Sequence, residues 1–565
     1  MSDVGVVLLR PRQVAGRLAA GMVLGAAVTL GVVAAVGARA DAGPPPALAA
    51  PSFVEEYAAA GLEQVYDGDF HHFVGGGVAA FDCDDDGLPD LYLAGGSEPA
   101  GLFRNVSEVG GPLRFEPRPD PVTDLTGVTG AYPLDLDGDG VTDLMVLRQG
   151  ENVLLRGLGD CRFESAGDRF GLDGGQDWTT AFSATWEPDA TLPTLAFGNY
   201  LDPDDQERGT CVPSLLVRPT GDAGTLAYGP PTPLTPAYCT LSLLFSDWDR
   251  SGRRDLRVSN DRQYHLDAEE QLWRIAPGEA PRAYGRNDGW QRLQLWGMGI
   301  ASQDLTGDGY PEVFLTSQAD NKLQTLAAGP DQPRYEDIAI DRGVTAHRPH
   351  LGSNVRPSTA WHPSFQDVNN DGHLDLHITK GNVEAMPEFA HDDPSNLLLG
   401  QPDGTFVERA EEAGVVSLGR ARGAAVVDLN LDGLLDIVEV NRREPVRIWR
   451  NVGYGTAARP APTGNWAAVR LTQAGPNRDA IGAWLEVDVA GRTTWREVTV
   501  GGGHASGQLG WHHLGLGDAE VARLRVQWPN GELGPWLELP ASGFAVVERG
   551  ATEAEPWTPT RDPDP

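Results

Sequence analysis

Asp82-Cys-Asp-Asp-Asp-Gly-Leu-Pro-Asp90, Asp135-Leu-Asp-Gly-Asp-Gly-Val-Thr-Asp143, Asp247-Trp-Asp-Arg-Ser-Gly-Arg-Arg-Asp255, Asp304-Leu-Thr-Gly-Asp-Gly-Tyr-Pro-Glu312, Asp367-Val-Asn-Asn-Asp-Gly-His-Leu-Asp375 and Asp428-Leu-Asn-Leu-Asp-Gly-Leu-Leu-Asp436 share one nine-residue template. Each copy lies between short runs of small or branched apolar residues, such as Gly77-Val-Ala-Ala-Phe81 before the first and Ile437-Val-Glu-Val440 after the last. Runs of this length flanked by Gly and Asp read as buried strands, which makes the template the turn of a hairpin.

Successive copies start 53, 112, 57, 63 and 61 positions apart. The interval near twice the others calls for a seventh repeat, and Ala184-Thr-Trp-Glu-Pro-Asp-Ala-Thr-Leu-Pro-Thr-Leu-Ala-Phe197 supplies it, with Trp186, Pro188 and Ala190 where carboxylates stand elsewhere. Two further strands per repeat follow from Leu102-Phe-Arg-Asn105, Ile448-Trp-Arg-Asn451 and their equivalents, and from the aromatic starts Phe115, Phe163, Tyr335 and Phe406. The spacing Phe163 to Gly171 recurs from Tyr335 to Gly343, from Phe406 to Gly414 and, ahead of the first template, from Phe53 to Gly61. The chain thus opens with the end of a repeat, as a ring requires if its first segment completes its last blade. The expected fold is all-β, a seven-bladed β-propeller over residues 51–455 followed by a small C-terminal β-sandwich or barrel over 460–550.

Alternate side chains at positions one, three and five of the template converge, Gly at six permits a sharp reversal, and position nine closes the shell. An oxygen-only donor set of this kind suits a hard cation, and Ca²⁺ tolerates six to eight ligands in flexible geometry, whereas Mg²⁺ demands a near-ideal octahedron. The candidate metal ligands are Asp82, Asp84, Asp86 and Asp90; Asp135, Asp137, Asp139 and Asp143; Asp247, Asp249, Ser251 and Asp255; Asp304, Thr306, Asp308 and Glu312; Asp367, Asn369, Asp371 and Asp375; and Asp428, Asn430, Asp432 and Asp436, giving up to six structural Ca²⁺ sites. A bare Asp-Gly turn is the alternative for one copy. Six copies crowding carboxylates together favour a compensating cation. The first two turns, with four carboxylates each, are expected to bind most tightly.

The chain has 565 residues, with 80 acidic against 44 basic, a formal net charge of −36. That sign excludes a nucleic-acid partner, whose phosphates require Lys and Arg. Arg10, Arg12 and Arg17 precede an uncharged apolar run from Leu18 to Ala38, then Ala38-Arg39-Ala40, so residues 1–40 read as a secretory signal or, if uncleaved, a single membrane anchor. The expected location is outside the cytoplasm: periplasm, cell surface or extracellular space. Cys83, Cys161, Cys211 and Cys239 lack C-x-x-C spacing and suit two disulfides, Cys83 with Cys161 and Cys211 with Cys239, among three connectivities. Residues 551–565, rich in Pro, Glu, Asp and Thr, read as a disordered tail.

The repeats resemble FG-GAP/VCBS repeats, which build the seven-bladed propeller of integrin α chains and of many secreted bacterial proteins. Asn477-Arg-Asp-Ala-Ile-Gly-Ala-Trp484, Arg496-Glu-Val-Thr-Val-Gly-Gly-Gly-His-Ala-Ser-Gly-Gln508, Trp511-His-His-Leu-Gly-Leu-Gly517 and Val526-Gln-Trp-Pro-Asn-Gly531 are similar to the ASPIC/UnbV domain, and the combination resembles the cartilage acidic protein family and its bacterial relatives. The resemblance implies structural metals, and partners that engage the face away from them or the rim.

The leading functional expectation is an exported calcium-binding scaffold that binds an extracellular or periplasmic protein or glycan, with the insertion Asp202–Thr240 as the first candidate for specificity. The alternative is a secreted polysaccharide lyase or hydrolase with its site at the propeller channel, drawing on His71, His72, His362 and His377. No G-x-S-x-G elbow or H-E-x-x-H helix supports it, and no catalytic residue is assigned. His504, His512 and His513 read as ordinary strand and turn histidines before they read as a transition-metal site.

Overall fold

Asp and Gly at the quoted positions favour tight reversal, and in the computed structural model each template is the connection of an antiparallel hairpin. The structure describes residues 49–205, 209–220, 226–261 and 267–559. The signal or anchor segment 1–40 lies outside them, as do parts of the insertion after Asp202 and the last six residues.

Register is uniform from repeat to repeat. Phe81 pairs with Asp90, Leu134 with Asp143, Ser246 with Asp255, Gln303 with Glu312, Gln366 with Asp375 and Val427 with Asp436, so position nine opens every second strand. In the ligand-poor third repeat Thr185 pairs with Thr194 in the same register. Each repeat sheet runs first, second, third, outer strand, as in Val128–Leu134, Asp143–Arg148, Val153–Gly157 and Phe163–Ser165. The outer strand of the seventh sheet is the N-terminal strand Phe53–Glu55, paired antiparallel with Arg447–Asn451. The aromatic-to-glycine spacing is an outer strand plus one helical turn: Tyr57–Ala60, Gly167–Phe170, Ala339–Arg342 and Ala410–Ala413 each end on a glycine with φ between 60° and 82°, a left-handed cap that glycine adopts without strain.

The expected closed seven-bladed propeller with a sandwich or barrel behind it is corrected by the strand pairing. Among the described residues the strands form nine open sheets of four or five strands, none closed on itself as a barrel, and no strand pairing joins the repeat sheets into one closed assembly. Residues after Leu48 form one compact unit, and the C-terminal region is woven into the repeats. It contributes two sheets, one ordered His512–Gly517, Asn465–Thr472, Gly543–Glu548, Glu555–Trp557, the other Arg492–Glu497, Trp484–Val489, Val521–Gln527, Leu537–Pro540. It also gives the first repeat sheet a fifth strand, Gly507–Gln508, parallel to Val78–Phe81.

Residues 500–508 fill the space on which the first strands of all seven repeats converge. Val500 bridges Ala184, Gly501 bridges Leu244, Gly503 bridges Ile300, Ser506 bridges Ala131 and Gly507 pairs with Ala79. The His504 amide donates to His362 Nδ1 at 3.0 Å, and a Cβ on Gly423 would meet Ser506 Oγ at 2.2 Å. Backbone approaches this closely only because the facing positions are glycine: a Cβ on Gly77 or Gly130 would sit 1.8 or 2.0 Å from the Ala505 carbonyl oxygen. Within the tail expected to be disordered, Glu555–Trp557 is a strand on Gly543–Glu548, and Trp557 packs on Trp511 and Phe544.

Candidate metal centres and an aromatic depression

The roles of the template positions separate in the structure. The position-one carboxylate accepts the amide of the position-six glycine in all six turns, at 2.7–3.1 Å: Asp82 from Gly87, Asp135 from Gly140, Asp247 from Gly252, Asp304 from Gly309, Asp367 from Gly372 and Asp428 from Gly433. Position nine is a clamp. Asp143 accepts Leu136 N–H at 2.9 Å and Gly157 N–H at 2.8 Å, tying its own turn to the third strand, and Asp90, Asp375 and Asp436 repeat the arrangement with Cys83 and Asn105, Val368 and Gly400, and Leu429 and Asn451. Glu312 holds Leu305 N–H and Thr325 Oγ1; Asp255 holds Ile275 N–H, Trp248 Nε1 and Tyr284 Oη. The template does not announce this structural duty of position nine.

Position three faces the site. Asp84 Oδ1 in the first turn and Asn430 Oδ1 in the seventh repeat are buried with no hydrogen-bond donor. Ligand atoms of Asp82, Asp84 and Asp86, and of Asp135, Asp137 and Asp143, lie within 4.8 Å of one another. Lone pairs left unfilled in an all-oxygen cluster fit a hard cation. A third grouping, Cys83, Asp90 and Cys161, offers no thiolate, because Cys83 and Cys161 form a disulfide. Arginines add counter-charge at three turns: Arg104 engages Asp84, with Asp86 3.8 Å away, Arg156 engages Asp139 and lies 2.9 Å from Asp137, and Arg253 lies 2.9 Å from Asp255 and 3.6 Å from Asp249.

Burial makes these carboxylates costly to ionise. It pushes Asp82, Asp135, Asp247, Asp304 and Asp432 up to about 6, Glu312 to about 7 and Asp143 to about 8, with neighbouring carboxylates adding to the rise in most of them. Asp90, Asp367, Asp375, Asp428 and Asp436 are driven well above the ordinary range by the same cause. In the third repeat Trp186 is buried, and Glu187 accepts Thr194 Oγ1 and pairs with Arg218 at 2.6 Å, an ion pair in place of a ligand shell.

The hairpin turns occupy one end of the repeat sheets. At the other end, where first strands begin and second strands finish, lies a depression of about 100 Å³ lined by Phe73, Tyr200, Trp296, Trp361, Met298 and Met386, with Asp261 and Gln318 as polar groups. Tyr200 Oη donates to Asp261 at 2.6 Å. Arg422 stiffens the wall: its guanidinium lies 4.1 Å from the Trp361 ring centre and donates to the carbonyls of Phe73 and Val383. Burial pulls that guanidinium down to about 9. The Cys211–Cys239 disulfide, within the insertion, packs in the same apolar cluster as Tyr200, Met298 and Trp361. These residues come from five repeats; Tyr200, Asp261 and Gln318 each follow the end of a second strand and Met298 and Trp361 each stand second in a first strand, so the positions recur while the residue types do not.

The histidines do not assemble into one site. His362 and His504 bond each other, His377 bonds Glu439 at 3.0 Å, and His72 packs edge-on to Tyr66. His513 bonds Asn370 at 2.6 Å while His504 bonds the Gly75 amide and packs on Trp361.

The fold and its turns define an all-β repeat protein whose clustered carboxylates can chelate a metal ion. Family profiles match the FG-GAP-like repeat over residues 82–146 and 367–439, and ASPIC and UnbV over 473–554. At family level, then, the chain carries FG-GAP-like repeats and an ASPIC/UnbV domain of the cartilage acidic protein kind. No curated protein matches it. Among solved structures it is similar to an Agrocybe aegerita lectin described as recognising non-reducing terminal N-acetylglucosamine (16% identity, TM-score 0.36, covering 66% of this chain and 93% of that one). It is also similar to Saccharomyces cerevisiae Sqt1 (11%, 0.38, 72% and 99%) and a mutant of AofleA from Arthrobotrys oligospora (13%, 0.32, 64% and 92%). Overlaps this partial assign no ligand to this chain. No helix of the described residues is long and apolar enough to cross a membrane.

Proposed function

We propose that this chain is an exported, calcium-stabilised β-repeat scaffold that binds a protein or glycan outside the cytoplasm. Calcium is the fitting cation because every donor is a hard oxygen and the turns vary in carboxylate number, which its flexible coordination accepts. Asp82, Asp84 and Asp86, with their equivalents in the other five turns, would hold it, and the position-nine acids would brace the turn while, as at Asp143, also turning a carboxylate oxygen toward the ion. The bound ion supplies positive charge that lets buried carboxylates stay ionised. Families of this type are typical of secreted proteins, and two disulfides suit an oxidising compartment.

The observation that carries the binding reading is the aromatic depression at the end away from the turns. Pockets that orient a ligand are concave, largely apolar and set with few polar groups, and the occupant this one fits best is a sugar ring, its C–H face against an indole and its hydroxyls toward Asp261 and Gln318. The test is a glycan array probed with the calcium-loaded protein and with Trp296→Ala, which removes a partly exposed wall of the depression. Retention of a defined set of glycans, lost at least tenfold in Trp296→Ala, is the expected result; no retention, or retention indifferent to the substitution, overturns it.

A further inference from the structure

Arg496 is a half-buried cation without a counter-charge. It sits near the end of the strand Arg492–Glu497, just before residues 500–508, and lines two adjoining clefts of about 190 and 110 Å³ between the repeat sheets and the C-terminal sheets. Its hydrogen bonds are two long ones, Nη1 to Gln366 Oε1 and to the His513 carbonyl, each 3.4 Å. Among the described residues no carboxylate comes within 4.0 Å of it, and its withdrawal from water pulls it down to about 10.

Among the fully buried arginines of the described residues, Arg257 has no carboxylate beside it but lies over the Trp290 and Tyr335 rings, and the other three are served by acceptors. Arg422 donates to the backbone carbonyls of residues 73, 382 and 383 among others, Arg442 meets Glu384 at 3.0 Å and Arg450 meets Glu56 at 3.0 Å. A guanidinium partly withdrawn from bulk water is best served by an anion or a full set of acceptors beside it. At Arg496 the protein supplies neither, and it leaves a cleft in front of the group instead.

The rest of the lining permits an anion. The acids lining the two clefts are otherwise engaged: Asp82, Asp304 and Asp367 hold the Gly87, Gly309 and Gly372 amides, and Glu497 accepts from Asp247 N–H and Ser246 Oγ. Arg470, Gln508, Ser364 and His512 also line the larger cleft, and His512 is kept neutral near physiological pH by burial and by Arg496 itself. Neutral imidazole, amide and hydroxyl groups solvate an oxyanion without opposing its charge.

We propose that Arg496 is the anchor of an oxyanion site in this cleft, taking a carboxylate or a sulfate-like anion through the two-pronged geometry of its guanidinium. Planar and tetrahedral oxyanions both match that fork. The shared chemistry has two sources, a free inorganic anion or the carboxylate of an acidic sugar.

The test is a thermal melt of the whole protein in calcium chloride, with sulfate, acetate or glucuronate replacing chloride at constant ionic strength. Anion at ten times its dissociation constant raises the folded-to-unfolded ratio about elevenfold, and the melting temperature climbs with concentration. Arg496→Met abolishes that response and Arg496→Lys keeps part of it. A preference for glucuronate over acetate points to the sugar, the reverse with sulfate strongest to the inorganic ion. A wild type indifferent to all three, or an Arg496→Met response equal to the wild type's, overturns the proposal. Should Arg496→Met not fold, selenate soaked into wild-type crystals decides: anomalous density at the guanidinium supports the site, and none there refutes it.

Discussion

Asp143→Asn should reverse the order of stability between calcium and chelator. Asp143 is buried and its carboxyl is raised from 3.8 to about 8, mainly by burial and in part by Asp137 and Asp135. In metal-free protein at pH 7 the folded state therefore holds a proton that the unfolded state has released, at about 1.4 kcal/mol per pH unit, or about 4 kcal/mol in all. Asparagine carries no such cost. It keeps one acceptor for the two amides of Leu136 and Gly157, so an unmet buried hydrogen bond takes back roughly 1–3 kcal/mol. The variant should be more stable than wild type in EDTA by roughly 1–3 kcal/mol. In calcium the sign flips, because the second turn loses one of four carboxylates, and a site saturated at 100 times its dissociation constant contributes about 2.7 kcal/mol. Urea midpoints of both proteins in EDTA and in calcium chloride measure this directly. If Asp143→Asn is the weaker protein in both media, the argument that buried carboxylates await a cation is wrong.

Metal-free wild type should lose stability as pH rises from about 4 to about 8, since Asp82, Asp135, Asp304, Glu312 and Asp143 all have folded values above their unfolded ones. Calcium should flatten that slope; equal slopes in melts with and without it would speak against bound metal. Replacing Cys83 and Cys161 by Ser opens a loop of 78 residues, and the chain-entropy relation puts the loss at about 4.5 kcal/mol, to be read from chemical denaturation under oxidising conditions. Gly130→Ala drives a Cβ to 2.0 Å from the Ala505 carbonyl oxygen, so strain of roughly 1–3 kcal/mol should appear, together with faster hydrogen exchange across residues 500–508.

What the sequence determined by itself is everything encoded within one repeat. Asp at positions one and five and Gly at six dictate a hairpin turn through contacts spanning fewer than ten residues, and flanking apolar runs dictate strands, so the template fixes register as well as chemistry. The spacing from Phe53 to Gly61 even marks the first segment as the close of a repeat, because a local strand-and-turn unit keeps its signature wherever it pairs. The tertiary structure alone decided how sheets and segments meet. That Gly501, Gly503 and Ser506 fill the space between seven first strands, that Phe73, Tyr200, Trp296 and Trp361 share a depression, and that Arg496 faces a cleft with no carboxylate beside it all depend on residues up to several hundred positions apart. Such contacts arise from packing of complementary surfaces, including glycines that leave room for a backbone, and packing between sheets has no period of residue types along the chain from which it can be read.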